Sequence, residues 1–209
     1  IKKRRIADED TATSDLALEA SKAALKKADL DPKELDLIIV STVTPDMAFP
    51  ATACIIQDTI GADNAAAFDL EAGCSGFVYG LSVGAQFIES GLYDNVLVIG
   101  AETLSKITDW DDRNTCVLFG DGAGAAVLQA TDKGGFLSYD LGSDGSGADA
   151  LYMEAGGSLN PASLETVKNK QHYIRMEGNP VFKFAVKTMK NASLDVLKKA
   201  NLTTDDVDL

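Results

Sequence analysis

Three cysteines, five prolines, one tryptophan and one histidine are all that 209 residues hold of these types. Cys54, Cys74 and Cys116 are odd in number, and their spacings match neither a zinc site nor a disulfide framework. No metal site is expected, and a reducing compartment follows. Any Cys–His pair within the chain would have to use His172. Nothing in the spacing ties His172 to a cysteine, so it reads as a surface or structural histidine. Basic charge is scarce: Lys and Arg total 19 against 32 Asp and Glu, a net charge of −13. A general binder of nucleic acid or of anionic membrane needs a basic face, so the balance argues against both classes and leaves room only for a local basic patch. No apolar run approaches the roughly 18 residues of a membrane span. No charged leader followed by an apolar stretch opens the chain. These absences lead us to expect a soluble, cytoplasmic protein.

What is present is apolar and periodic. Hydrophobic residues make up 45% of the chain, enough for one large or two smaller cores. Thr13, Ser14 and Asp15 are N-cap candidates for a helix to about Ala28, with Leu16, Ala20, Ala23, Ala24 and Leu25 at helical spacing. The continuous apolar run Leu37 to Val40 predicts a strand buried on both faces. A helix is expected from Ala51 to Ile60, ended by Gly61, then a strand from Ala65 to Leu70. After a second helix and Gly91 comes a strand from Asn95 to Gly100. The alternation predicts an α/β fold with a mainly parallel sheet, whose chemistry lies at the carboxyl ends of its strands.

Gly120-Asp121-Gly122-Ala123-Gly124 reads as a small-residue turn into another strand, with Gly135 to Asp140 as its hairpin partner. It is only a partial dinucleotide fingerprint, because it leads into a strand and Val127 stands where a third small residue belongs. Residues 142–147 and 156–170 read as polar surface loops. Pro180 suits the first turn of a long helix with Val181, Phe184, Ala185, Val186 and Met189 on a core face. Leu202 to Leu209 echoes Leu30 to Leu37: each follows a helix rich in Ala and Lys and leads towards a strand. The echo predicts a duplicated unit, divided here into residues 1–132 and 133–209, with the second copy cut off.

Cys74 carries the clearest chemical signal. In Phe68-Asp69-Leu70-Glu71-Ala72-Gly73-Cys74-Ser75-Gly76-Phe77 a strand stops, bends through small residues and restarts as a helix carrying Val78, Leu81, Val83, Ala85 and Ile88. A thiol at a helix start meets unpaired amides that favour the thiolate, the form a nucleophile needs. Such an elbow also keeps the sulfur accessible.

Three motifs in order, Phe68-Asp69-x-x-Ala72-x-Cys74-Ser75-Gly76-Phe77, Phe119-Gly120-Asp121-Gly122-Ala123-Gly124-Ala125 and Met176-x-Gly178-Asn179-x-Val181-Phe182-Lys183, resemble β-ketoacyl-acyl carrier protein synthase III. The resemblance implies a thiolase-like, duplicated α/β/α/β/α fold, incomplete here at both ends. It implies that Cys74 takes an acyl group from acyl-CoA and then condenses it with malonyl-acyl carrier protein, releasing carbon dioxide. The Cys74 amide would be one oxyanion donor. Acyl-CoA is a substrate in this scheme, and no cofactor is implied.

By the same resemblance, Arg113 matches an arginine at the adenine end of CoA. Phe49 matches a residue reaching the partner subunit's acyl pocket, which implies a homodimer. Leu104 and Phe119 match positions near the acyl channel, Phe182 matches one at the pocket wall, and Lys183 matches a residue that docks the acidic carrier protein. Pro180 stands where the family commonly has Glu. The family's catalytic His and Asn are expected beyond Leu209, and its first strand, with a CoA-entrance Trp and Arg, ahead of Ile1. Trp110 is not that Trp. The alternatives are a related thiolase-fold condensing enzyme of polyketide, alkylquinolone, chalcone-synthase or hydroxymethylglutaryl-CoA type, and a non-catalytic module.

Overall fold

The computed structural model describes residues 2–208. They form two compact units. The first takes residues up to Ser105 together with Gly120–Gly135, and the second takes Lys106–Phe119 together with Phe136 onward.

The first unit is built on a four-stranded sheet in the order β2-β1-β3-β4. β1 (Leu37–Ser41) lies between β2 (Ala66–Leu70) and β3 (Asn95–Thr103), parallel to both. β4 (Asp121–Gln129) runs antiparallel to β3 at the edge. All five β1 residues are buried, as expected for a strand covered on both faces. Leu35, Ile38, Val40, Leu97 and Ile99 meet α1 (Thr13–Ala28) and α2 (Thr52–Thr59) on one face. Leu37, Ile39, Val96 and Val98 meet α3 (Gly76–Glu89) on the other.

Two expectations about α1 need revision. The cap does not use Thr13, Ser14 or Asp15 at the N-cap position, which Ala12 occupies. Asp15 instead reaches back to accept the Ala12 N–H at 2.8 Å. The hydroxyls of Thr13 and Ser14 are engaged elsewhere, by the Thr44 carbonyl and by Asp46. The buried stripe is Thr13, Ala17, Ser21 and Leu25. Its spacing of four residues lets small side chains bring the helix close to the sheet, while Ala23 is exposed.

Glycines set how closely α3 approaches its side of the sheet. A Cβ on Gly76 would stand 2.9 Å from Ser41 Cβ, and one on Gly80 would stand 2.8 Å from Val98 Cγ1. One on Gly84 would meet Val96 and Leu128 side-chain atoms at 3.1 Å. Ser41 Oγ completes the contact by donating to the Gly76 carbonyl at 2.8 Å.

The second unit holds the short antiparallel pair β5 (Leu151–Met153) and β6 (Ile174–Met176), the small helix α4 (Leu164–Lys168) and the long helix α5 (Gly178–Lys199). The polar stretches 142–147 and 156–170 are not wholly irregular. A 3-10 turn starts at Gly145, and Ser163 caps α4 by accepting the Thr166 N–H. His172 is structural, with Nε2 2.9 Å from Thr166 Oγ1.

Gly135 to Asp140 is not a hairpin partner of β4. It forms no strand, and β4 pairs with β3 instead. The segment is tied to α5: Ser138 Oγ donates to the Val196 carbonyl at 2.6 Å, and Lys199 Nζ donates to the Tyr139 carbonyl at 2.9 Å. The expected core face of α5 is also corrected. No residue of the helix is buried, and Phe184, Val186 and Met189 are exposed. The two three-residue strands of this unit are too short to underlie a helix of 22 residues.

The internal echo is visible in the backbone. α1 ends on Asp29 (φ 52°) and α5 is followed by Asn201 (φ 57°), both left-handed. In each case the next leucine donates back to the helix, Leu30 N–H to the Leu25 carbonyl and Leu202 N–H to the Leu197 carbonyl. A 3-10 turn follows each cap, Pro32–Glu34 and Thr204–Asp206. Leu209, the last residue of the echo, lies outside the described residues.

Candidate functional site

Cys74 lies where β2 leaves the carboxyl edge of the parallel strands. Gly73 adopts φ +54°, a left-handed conformation that glycine tolerates without strain, and this turns the chain sharply. Gly73–Ser75 form a 3-10 turn that feeds directly into α3. Cys74 therefore sits one short turn ahead of the α-helix proper, and it is exposed. The Gly76 and Gly80 contacts hold the start of α3 against Ser41 and Val98, so the position of the thiol follows that of the central strands.

Asp69, quoted in the first motif with no assigned role, fixes the neighbouring helix. Its carboxylate accepts the Thr52 and Ala53 N–H groups, each at 2.8 Å, and so caps α2 from the strand that delivers Cys74. Asp121, in the second motif, does similar work at the start of β4. It accepts from Ser105 N–H (2.8 Å), Ser105 Oγ (2.5 Å) and Ala7 N–H (2.8 Å). Gly120 beside it is needed for space, since a Cβ there would lie 3.0 Å from the Arg5 carbonyl oxygen.

Two other predicted site residues belong to the first unit. Phe49 is on the loop between β1 and α2 and is 84% exposed. Leu104, partly buried, opens a 3-10 turn straight after β3.

The remaining ones belong to the second unit. Arg113 is exposed on a loop whose preceding residues are clamped by Lys170: its Nζ reaches Asp109 Oδ1 at 3.1 Å and Asp111 Oδ2 at 2.6 Å. Arg175 donates to the Lys170 carbonyl at 3.0 Å. Asp112, immediately before Arg113, accepts from the Asn114 N–H and the Thr115 hydroxyl. Phe119, at the end of this segment, is partly buried. Phe182 and Lys183, both exposed, stand near the start of α5. Among the described residues, no group of three or more His, Cys, Asp or Glu could hold a metal ion, and no helix is long and apolar enough to cross a membrane.

The Lys170 clamp predicts a pH response. Its hydrogen bond holds the Asp109 carboxyl below the ordinary range, while Asp111 and then Asp109 hold the Lys170 ammonium above its own. The Asn114 amide and Thr115 hydroxyl likewise lower Asp112. A depressed carboxylate stabilises the fold above its unfolded value and loses that contribution as pH falls through the folded one. The raised lysine loses its contribution only as pH rises through its folded value. Amide exchange in residues 106–119, corrected for intrinsic rates, should therefore stay flat around neutrality and rise in acid below about pH 4. Lys170→Met should raise it at neutral pH as well. A flat profile down to acid in the wild type would contradict the clamp.

Residues 68–145 match the family model of 3-oxoacyl-[acyl-carrier-protein] synthase III. Over all of its length the chain is 60% identical to a beta-ketoacyl-[acyl-carrier-protein] synthase III of Natranaerobius thermophilus, covering 65% of that protein. It is 63% identical to the corresponding protein of Caldanaerobacter subterraneus, covering 63% of it. A crystal structure of beta-ketoacyl-[acyl carrier protein] synthase III from Thermus thermophilus superposes with a TM-score of 0.88 at 43% identity, covering 99% of this chain and 63% of that one. The chain thus spans less than two thirds of the length of the relatives it matches. Along its whole length it is similar to β-ketoacyl-[acyl-carrier-protein] synthase III, and it has the thiolase-like fold of those enzymes.

Proposed function

We propose that the protein carrying this chain initiates fatty acid synthesis, with Cys74 as the acyl-accepting nucleophile. The exposed thiol on the turn directly past the end of β2 supports this reading above all else. In the first half-reaction the Cys74 thiolate adds to the carbonyl of an acyl-CoA thioester. The bond from that carbonyl to the CoA sulfur then breaks, and CoA leaves with the proton that Cys74 gave up. The amide of Cys74 lies in the first turn of a helical segment, where N–H groups lack an intrahelical acceptor, and it is suited to hold the oxyanion. In the second half-reaction malonyl-acyl carrier protein loses carbon dioxide, and the resulting carbanion attacks the acyl-Cys74 carbonyl. Cys74 departs as thiolate, leaving β-ketoacyl-acyl carrier protein.

The other assignments follow from the same likeness. Arg113, exposed on its clamped loop, would meet the adenine end of CoA. Leu104, Phe119 and Phe182 would line the acyl channel and pocket, and Phe49 would enter the pocket of a second copy in a cytoplasmic homodimer. Lys183 would give a strongly acidic protein a local positive point for an acidic carrier.

Incubation of the protein with acetyl-CoA, followed by digestion and mass spectrometry, should place the acetyl group on the Cys74 peptide. Cys54 is exposed as well, so its peptide remaining unmodified makes the result specific. An unmodified Cys74 would sink the proposal.

A further inference from the structure

Glu102, near the end of β3, plays no part in the chemistry above. It stands two residues past Gly100, which pairs with Ser41 at the end of β1, and it serves the loop that leaves β1. One carboxylate oxygen accepts the Val43 N–H at 2.9 Å. The other accepts from Thr44 Oγ1 at 2.5 Å and from Thr42 Oγ1 at 3.4 Å. Thr44 is held further by the Thr103 N–H, which donates to its hydroxyl at 2.9 Å, and by the Thr13 hydroxyl, which donates to its carbonyl at 2.6 Å. The far end of the loop is fixed too. Asp46 accepts from Ser14, and Asp69 caps α2 through Thr52 and Ala53. Between these anchors the side chains of Met47 and Phe49 are exposed.

Burial pushes the Glu102 carboxyl up from its ordinary range, against the opposing effect of its hydrogen bonds. A partly desolvated carboxylate is an expensive group to hold here, and it satisfies a cluster of three donors at the base of the loop.

We propose that Glu102 is a positioning residue which, by fastening Thr42 to Thr44, fixes where Phe49 is presented and so sets the acyl primer the protein accepts. This rests on the reading above that Phe49 enters the acyl pocket of a second copy. Removing the carboxylate leaves an amide and two hydroxyls at the base of the loop without their acceptor. A shift of about 1 Å at the tip changes which primers fit, an effect on kcat/KM of up to about a hundredfold.

Glu102→Ala and Glu102→Gln should be compared with wild type for Cys74 acylation by short straight and branched acyl-CoA. The alanine variant should raise KM about tenfold and narrow the preference among primers, with kcat changed less than threefold. The glutamine variant keeps an acceptor for the Val43 N–H and should recover most of the preference. Amide exchange should rise in residues 42–51 of the alanine variant and not across the sheet. Equal kcat losses for every primer, a glutamine variant no better than alanine, or exchange rising throughout the unit would each overturn the proposal. If wild type accepts no acyl-CoA on Cys74, it is the functional reading that fails. Exchange then decides the positioning role: a rise confined to residues 42–51 supports it, and no rise there refutes it.

Discussion

Cys74→Ala is expected to abolish the acyl transfer proposed above, lowering kcat/KM by at least about ten-thousandfold, the scale seen when a covalent nucleophile is removed. The fold barely registers the change. Cys74 is exposed and belongs to neither apolar cluster of the sheet, so stability should stay within about 0.5 kcal/mol of wild type. That combination separates a nucleophile from a packing residue. Cys54→Ala serves as the comparison, because Cys54 is also exposed and its sulfur only reaches the Ala67 carbonyl at 3.8 Å. It should retain nearly full activity. Steady-state acyl transfer and chemical denaturation measured on both variants decide the matter; residual activity within tenfold of wild type in Cys74→Ala would remove the residue from the mechanism.

Gly80→Ala is expected to cost both stability and rate, although intrinsic helix propensity argues the other way. Alanine in a helix interior is favoured over glycine by about 0.8–1 kcal/mol. Against this, the new methyl group would lie 2.8 Å from Val98 Cγ1 and 3.1 Å from Ser41 Oγ. Val98 is fully buried in a central strand and its branched side chain is stiff, so it cannot swing aside. Overpacking of this kind costs about 1–3 kcal/mol, which outweighs the propensity gain. Relieving the strain by lifting α3 would move the turn bearing Cys74 with it. Acylation should fall by about ten- to a hundredfold. Gly122→Ala is the control, because a Cβ at that position meets nothing within 4 Å and its effect should be small. Urea unfolding and single-turnover acylation of the two variants test the difference; equal behaviour would show that the Gly80 contact is not limiting.

The elements legible in the sequence are those whose signal is local. Leu37 to Val40 announces itself as a run of apolar residues, and the turn at Gly73 is marked by the glycines around Cys74. The repeated helix ending at Asp29 and Asn201 could be found because each cap and its turn occupy a few consecutive residues. The functions of Asp69, Glu102 and Asp121 are settled by partners distant in the chain: Asp69 caps a helix that begins at Thr52, and Asp121 binds Ala7. No periodicity encodes such pairs. Gly135 to Asp140 differs for a related reason: the segment follows a strand, but its contacts are with α5 through Ser138 and Tyr139, partners distant in the chain. On α5 the apolar spacing is a real pattern, but burial depends on a covering surface, which two three-residue strands do not offer.

The glycines along α3 also constrain how this molecule can drift. Where a helix rests on a sheet with less than a methyl group of clearance, the volumes at positions 80 and 98 form one shared quantity, as do those at 76 and 41. In a library randomised at these positions, survivors should show compensation: a larger residue on the helix would be recovered only with a smaller one on the facing strand. Such coupled sites are poorly additive. The surroundings of Cys74 would then change in paired steps.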